Sequence, residues 1–397
     1  MLEGHLQEWL DLAVRWIHVI VGIAWIGTSS YFNWLNNHIR PPQTPEPGVA
    51  GELWSVHGGG FYRVVKYEVA PDRLPPTLHW FKWEAYSTWV SGISLLFVVY
   101  YLGPSGIALD AGRWDLPRWG LMLFGIGTLV LGWFAYDRLC RLLRQRPGWL
   151  AITGFALMVG AAFGYSQALT GRAAYIHTGA LIGTLMAANV FFVIIPSQRK
   201  MVEAMSRGET PDPEPGAEAA RRSLHNNYLT LPVVFIMVSN HFPSTFATEW
   251  NWALLGGLVL IGTAVRHWFN LRGRGDRNVW ILPAAIVAML ALAAVAAPAK
   301  ITGADVPDDV WAIVQMRCTP CHANEPTQLR VSDPPKGIVF ETKADLAERV
   351  PLVAEVVGSG FMPRNNATLM TDEERARVVE WARGGGEDPP PQGEVAP

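Results

Sequence analysis

Hydrophobic residues fall into eight long stretches separated by polar segments, at residues 9–34, 84–102, 119–139, 149–169, 174–196, 228–242, 250–269 and 279–299. A membrane-crossing helix needs roughly 20 apolar residues, so each stretch predicts a span, with ends open by a few residues. The sixth is the shortest case and contains Pro232. Several begin or end at Trp, the residue that collects at membrane–water interfaces. Beyond residue 300 the pattern changes to a helix over 308–316 and a second one, capped by Thr371-Asp372-Glu373-Glu374, that runs to about Arg383. The predicted fold is all-α: a polytopic bundle of about eight transmembrane helices over 1–300, a small α-helical domain over 301–386, and a disordered tail over 387–397. The long loop 41–76, with His57-Gly58-Gly59-Gly60 and Pro75-Pro76, predicts an ordered turn-rich or re-entrant piece. Residues 210–215 (TPDPEP) predict a solvated linker.

Composition supports a membrane protein. Hydrophobic residues make up 50% of the 397 and charged ones 17%, against about 25% charged in ordinary soluble domains. Three cysteines exclude a disulfide-stapled scaffold. Charge is divided between the two parts: residues 1–300 carry 23 Lys and Arg against 18 Asp and Glu, and the remainder carries 9 against 16. The basic excess sits in alternate loops, as in Arg138, Arg141, Arg144 and Arg146 or Arg272, Arg274 and Arg277, and gives no case for nucleic acid. The intervening loops carry little beyond Arg113, Arg118 and Arg172. The positive-inside rule then places both termini outside the cytoplasmic membrane. The first segment is too long and too rich in Trp for a cleaved signal peptide.

Residues 318–322 read Cys-Thr-Pro-Cys-His, the attachment pattern for one covalent haem c. Two thiols at this spacing, Cys318 and Cys321, add to the porphyrin vinyl groups, and His322 becomes an axial iron ligand. A zinc site needs further Cys or His, and residues 323–397 contain none. Helix, motif, Met-Pro loop and terminal helix together resemble class I cytochrome c over about 305–386. By that resemblance Met362 is the second iron ligand, with Met370 as the rival thioether. His/Met ligation raises the reduction potential, which suits an electron acceptor. Covalent haem attachment occurs outside the bacterial cytoplasmic membrane, where the loop charges also place this domain. Cys140 falls in a cytoplasmic loop and reads as a structural thiol.

Ionisable residues within spans are costly and often functional. On this topology His18, His177 and His241 lie toward the outer side, and His79, His225 and His267 near the inner boundary. Arg15, His18 and Gly22 share one helical face, with Gly22 permitting close approach. This stretch resembles the first helix of small membrane proteins that hold b-type haem, and His18 with His177 are candidate ligands for a second, non-covalent haem b. His79, Lys82, Glu84, Arg266 and His267 mix aromatic, basic and acidic groups at the inner boundary. Such a set suits a planar anionic heterocycle and makes these residues candidates for catalysis.

The whole chain resembles the bacterial membrane-bound cytochrome c urate oxidase (urate hydroxylase) family. The resemblance rests on residues 16–27 (WIHVIVGIAWIG), 78–84 (LHWFKWE), 316–322 (MRCTPCH), 334–341 (PPKGIVFE) and 361–366 (FMPRNN). It implies a multi-pass protein of the bacterial inner membrane, with both termini and the cytochrome domain on the periplasmic side. Residues 1–300 would oxidise urate to 5-hydroxyisourate. Electrons would pass to haem c and on to a downstream cytochrome or cytochrome c oxidase, without hydrogen peroxide. The alternative is a quinol- or respiratory-chain-linked electron-transfer subunit that does not act on urate.

Overall fold

The computed structural model describes residues 2–102, 108, 116–246, 248, 250–297, 305–328, 331–358 and 360–384. The expected domain boundary at residue 300 and the expected tail 387–397 lie outside the described residues. Helices stand at all eight predicted hydrophobic stretches: α1 Leu2–His38, α2 Trp83–Leu96, α3 Arg118–Leu142, α4 Pro147–Ala168, α5 Gly171–Ala188 with its continuation α6 Ile195–Ser206, α7 Pro213–Ser239, α8 Asn251–Gly273 and α9 Ile281–Val295. Five helical segments are long and apolar enough to cross a membrane: Trp9–His38, Arg118–Leu142, Pro147–Ala168, Gly171–Ser206 and Asn251–Gly273. Ile281–Val295 is apolar but shorter. Large apolar side chains such as Trp16, Ile23, Leu131, Phe134, Val287 and Leu290 point away from the protein, as lipid contact requires.

Helix α5 is the centre of the bundle. Its Ala173, Ala174 and Leu181 join a core with Leu96, Leu129 and Tyr165. Its Tyr175, Ile182 and Met186 join a second core with Ile236, Leu255 and Val259. Two stretches of wider π-helical turns interrupt the regular spacing: Phe97–Tyr101 after α2, and Asn189–Ile194 between α5 and α6. Such turns are often found at functional sites, and each here carries a polar residue into the protein interior.

Two details differ from the sequence reading. Loop 41–76 contains a β-hairpin, β1 Val49–His57 and β2 Gly60–Tyr67, with His57 opposite Gly60. Gly58 and Gly59 turn the chain with φ of 55° and 82°, the left-handed pair that a two-residue hairpin loop demands. The fold is thus helical with one hairpin rather than purely α. The linker expected over 210–215 is also shorter, because α7 starts at Pro213. The Asp212 carboxylate accepts from the Glu214 N–H, and proline fits the first helical turn, where no N–H is needed. Pro232 lies inside the same helix.

The carboxy-terminal unit comprises α10 Asp308–Arg317, α11 Lys343–Ala347, α12 Val350–Gly358 and α13 Asp372–Arg383. Val310, Val314, Phe340, Leu346, Val353, Val378 and Trp381 form its core. Reciprocal caps start α11 at Thr342 and Asp345, and α13 at Thr371 and Glu374. Arg317 ties α10 to α13 through two bonds to the Glu374 carboxylate, both of 2.9 Å. The unit rests on one end of the bundle. Lys336 Nζ donates to the His241 carbonyl at 2.9 Å. The Arg172 guanidinium, itself bonded to Asn240, lies 5.2 Å from the Phe361 ring centre. Arg172 and His241 belong to the end of the bundle with few basic loop residues.

Candidate functional site

The Cys-Thr-Pro-Cys-His segment begins where α10 ends. The Cys318 N–H donates to Val314, and the His322 N–H to the Cys318 carbonyl, so one tight turn fixes all three side chains. Both cysteines are free thiols. Burial pushes Cys318 up to about 12, and raises Cys321 above its ordinary range. The buried His322 ring packs 5.4 Å from Phe340. Its Nδ1 lies 2.9 Å from the Ile338 carbonyl. A carbonyl only accepts, so Nδ1 carries the proton and Nε2 keeps its lone pair for a metal. Met362 is half-buried, its backbone held by Val356 and Arg375. Met370 is 3% exposed, packs in the core, and is clasped by both amide atoms of Asn366. Two thiols, an imidazole with one oriented free nitrogen, and an uncommitted thioether form a donor set that fits haem c.

At the opposite end of the bundle lies a polar interior. Arg222 is 2% exposed and donates to Asp137 at 2.6 Å, Glu218 at 3.0 Å and Asn189 at 3.2 Å. Asn189, brought inward by the π-helical turn, donates to Tyr136 and Asn226. Tyr136 reaches His225 Nδ1 at 2.8 Å. Beside this network opens a cleft of about 440 Å³ bounded by Asp137, Cys140, Lys200 and Arg222. A separate ladder of amides crosses three helices: Asn33 of α1 donates to Asn270 of α8, and Asn270 donates to Asn227 of α7.

The catalytic candidates from the sequence stand in different surroundings. Arg266 is buried and Glu84 half-buried, and Arg266 Nε and Glu84 Oε2 have no hydrogen-bond partner among the described residues. His79 and His267 are exposed, His79 against Phe81 and His267 bonded to Tyr228. Lys82 lies over Trp83 at 5.7 Å. Among the described residues no hydrogen bond or ring contact joins His79 or Lys82 to Arg266 or His267. Asn189 and Arg222 were not singled out as site residues from the sequence. Lone amides inside apolar stretches were the available signal.

The two candidate haem b ligands make different contacts. His18 bonds Ser91 of α2 at 2.9 Å. The close approach at this ring is allowed by Gly92, where a Cβ would stand 3.0 Å from His18 Cε1; Gly22, the glycine expected to do this, has no atom within 4 Å of such a position. His177 is fully buried, donates from Nδ1 to the Ala173 carbonyl at 2.8 Å, and accepts at Nε2 from Tyr101 at 3.1 Å. The rings of Tyr100 and Tyr165 complete its surroundings. Both nitrogens of His177 are engaged, whereas His18 uses one.

Residues 4–297 match the family model described as urate oxidase N-terminal. The chain belongs to that family. Membership of the urate oxidase N-terminal family supports an oxidoreductase acting on urate, and the matched region holds every apolar helix described above. No curated protein matches the chain, and no solved structure does.

Proposed function

We propose that this chain is a bacterial inner-membrane urate oxidase with eight spans, which converts urate and water into 5-hydroxyisourate, two protons and two electrons. The electrons leave through haem c in the carboxy-terminal unit, on the periplasmic side that the loop charges favour, and go on to a downstream cytochrome or cytochrome c oxidase. Oxygen is not the direct acceptor, so no hydrogen peroxide forms. The observation that carries this reading is the seating of the Cys-Thr-Pro-Cys-His unit on the urate oxidase family region, with Phe361, the neighbour of Met362, against Arg172.

The residues supply distinct parts. Cys318 and Cys321 would bind haem covalently, His322 would offer Nε2, and Met362 a thioether. Haem c, when bound, supplies a one-electron acceptor, so each urate requires two transfers. Arg172, Lys336 and the 240–246 segment hold the unit against the bundle. If substrate sits at the inner end, about 30 Å of hydrocarbon separates it from that unit. A haem b at His18 would then divide the path. His177 could join it only by releasing Tyr101.

The test is an anaerobic difference spectrum of purified, haem-loaded protein before and after urate. Urate is expected to reduce the c-type α band, and a b-type band would reveal the second haem. Reduction by quinol and not by urate would replace the enzyme with a quinol-linked electron-transfer subunit. A related result concerns the sulfur ligand. Met362→Leu is expected to abolish the thioether-to-iron absorption of the oxidised protein and lower its potential, with covalent haem retained. Met370→Leu is expected to keep both properties, since its side chain belongs to the core.

A further inference from the structure

Among the described residues the bundle contains two buried arginines in opposite situations. Arg222 is surrounded by Asp137, Glu218 and Asn189. Arg266 is 9% exposed and, among the described residues, forms no ion pair and no hydrogen bond from Nε. A buried cation without an anion is strongly unfavourable. Arg266 keeps at least one buried donor, Nε, open to an acceptor from outside the described residues.

A second donor is left open on the facing helix α7. Arg266 and Asn270 occupy one face of α8, one turn apart. Asn270 donates to Asn227 Oδ1 at 2.8 Å and is itself fixed by Asn33 at 3.0 Å. This ladder orients the Asn227 amide, yet Asn227 Nδ2, on a residue 3% exposed, has no partner among the described residues. An unmade hydrogen bond at such a place leaves the donor's desolvation uncompensated, so two of them in one seam need a reason. The backbone adds an acceptor. Pro232 lacks the N–H that would bond the Tyr228 carbonyl in a regular helix. Gly262 of α8 adjoins Pro232, a Cβ there being 3.5 Å from its ring, so the two helices run close along this break.

Resting on the urate reading above, we infer that the α7–α8 seam at Asn227, Tyr228 and Arg266 binds the urate anion by its amide edge. Urate is planar and alternates carbonyl oxygens with ring N–H groups. The guanidinium and the Asn227 amide donate to the carbonyl and deprotonated positions, and the Tyr228 carbonyl accepts from a ring N–H. The same arrangement discriminates against small spherical anions, which offer no N–H. These residues bind and orient the ring.

The experiment uses the full-length, haem-loaded protein in detergent. Binding of radiolabelled urate is measured by equilibrium dialysis, together with KM and kcat for urate-driven haem reduction. Arg266→Gln and Asn227→Leu are each expected to weaken urate binding at least tenfold, with haem content unchanged. Arg266→Lys, which keeps the charge and loses the planar fork, is expected to recover part of it and serves if the Gln variant fails to fold. In the wild type, N-methylated urates are expected to compete poorly, and phosphate or chloride not at all. Wild-type affinity in folded Arg266→Lys and Asn227→Leu proteins, with urate still reducing the haem, would overturn this site and leave the proposed function standing. Competition by phosphate equal to that by urate would reduce it to a simple anion site. A wild type that neither binds urate nor is reduced by it would remove the function and the site together.

Discussion

A chain with Ser at both 318 and 321 is expected to reach the membrane carrying no covalent haem, and to deliver no electrons from urate to a c-type centre. Both thiols are free and adjoin the end of α10, and no other cysteine lies in this unit. Removing them deletes the only groups there that can form thioethers. The family-matched region 4–297 is untouched, so expression and insertion should persist. Haem staining after denaturing electrophoresis checks the first claim, since only covalent haem survives denaturation. Staining that persists in the double variant would remove the attachment role. The same variant has a second use: any haem spectrum left in native protein would come from non-covalent haem in the bundle.

How far these features could be seen in advance depends on what defines each of them. Attachment chemistry is local in sequence, so the proposal for Cys318, Cys321 and His322 rests on spacing, while the cap at Thr371 followed from its own four residues and stands in the structure. Hydropathy likewise located the helices, because burial in lipid depends on composition over about 20 residues. The hairpin escaped because its glycine triplet dominated the reading, although Val49–His57 and Gly60–Tyr67 flank a two-residue turn suited to paired strands. Partnerships across the bundle were harder. Depth along a span can be counted from its ends, but the direction a side chain faces depends on helix rotation, which the π-helical turns at Phe97–Tyr101 and Asn189–Ile194 reset. His18 and His177 shared a level in projection while bonding to different residues, Ser91 and Tyr101. For the same reason Tyr101 and Asn189 gave no signal as interior polar groups.

Arg222→Met is expected to destabilise the bundle by about 3–5 kcal/mol, the usual cost of removing one member of a buried charge network. The loss takes from Asp137 and Glu218 the buried cation they share, leaving them only the more exposed Arg141 and Arg221, and leaves Asn189 Oδ1 without its donor. Asn189 also positions Tyr136 and Asn226, so the damage extends along the network. Thermal unfolding in detergent measures it, and Arg222→Lys should recover only part, since ammonium cannot reproduce three divergent guanidinium bonds. Arg266→Gln should behave in the reverse sense. Its charge has no carboxylate partner to abandon among the described residues, so removing it should leave the unfolding temperature unchanged or raise it while urate binding falls. A protein that keeps one buried arginine satisfied and another unsatisfied is storing stability at the first and forgoing it at the second. If both variants lose stability to the same extent, Arg266 has a structural partner and its open Nε is no mark of a ligand. Opposite responses would separate the arginine that holds the bundle together from the one that waits for an anion.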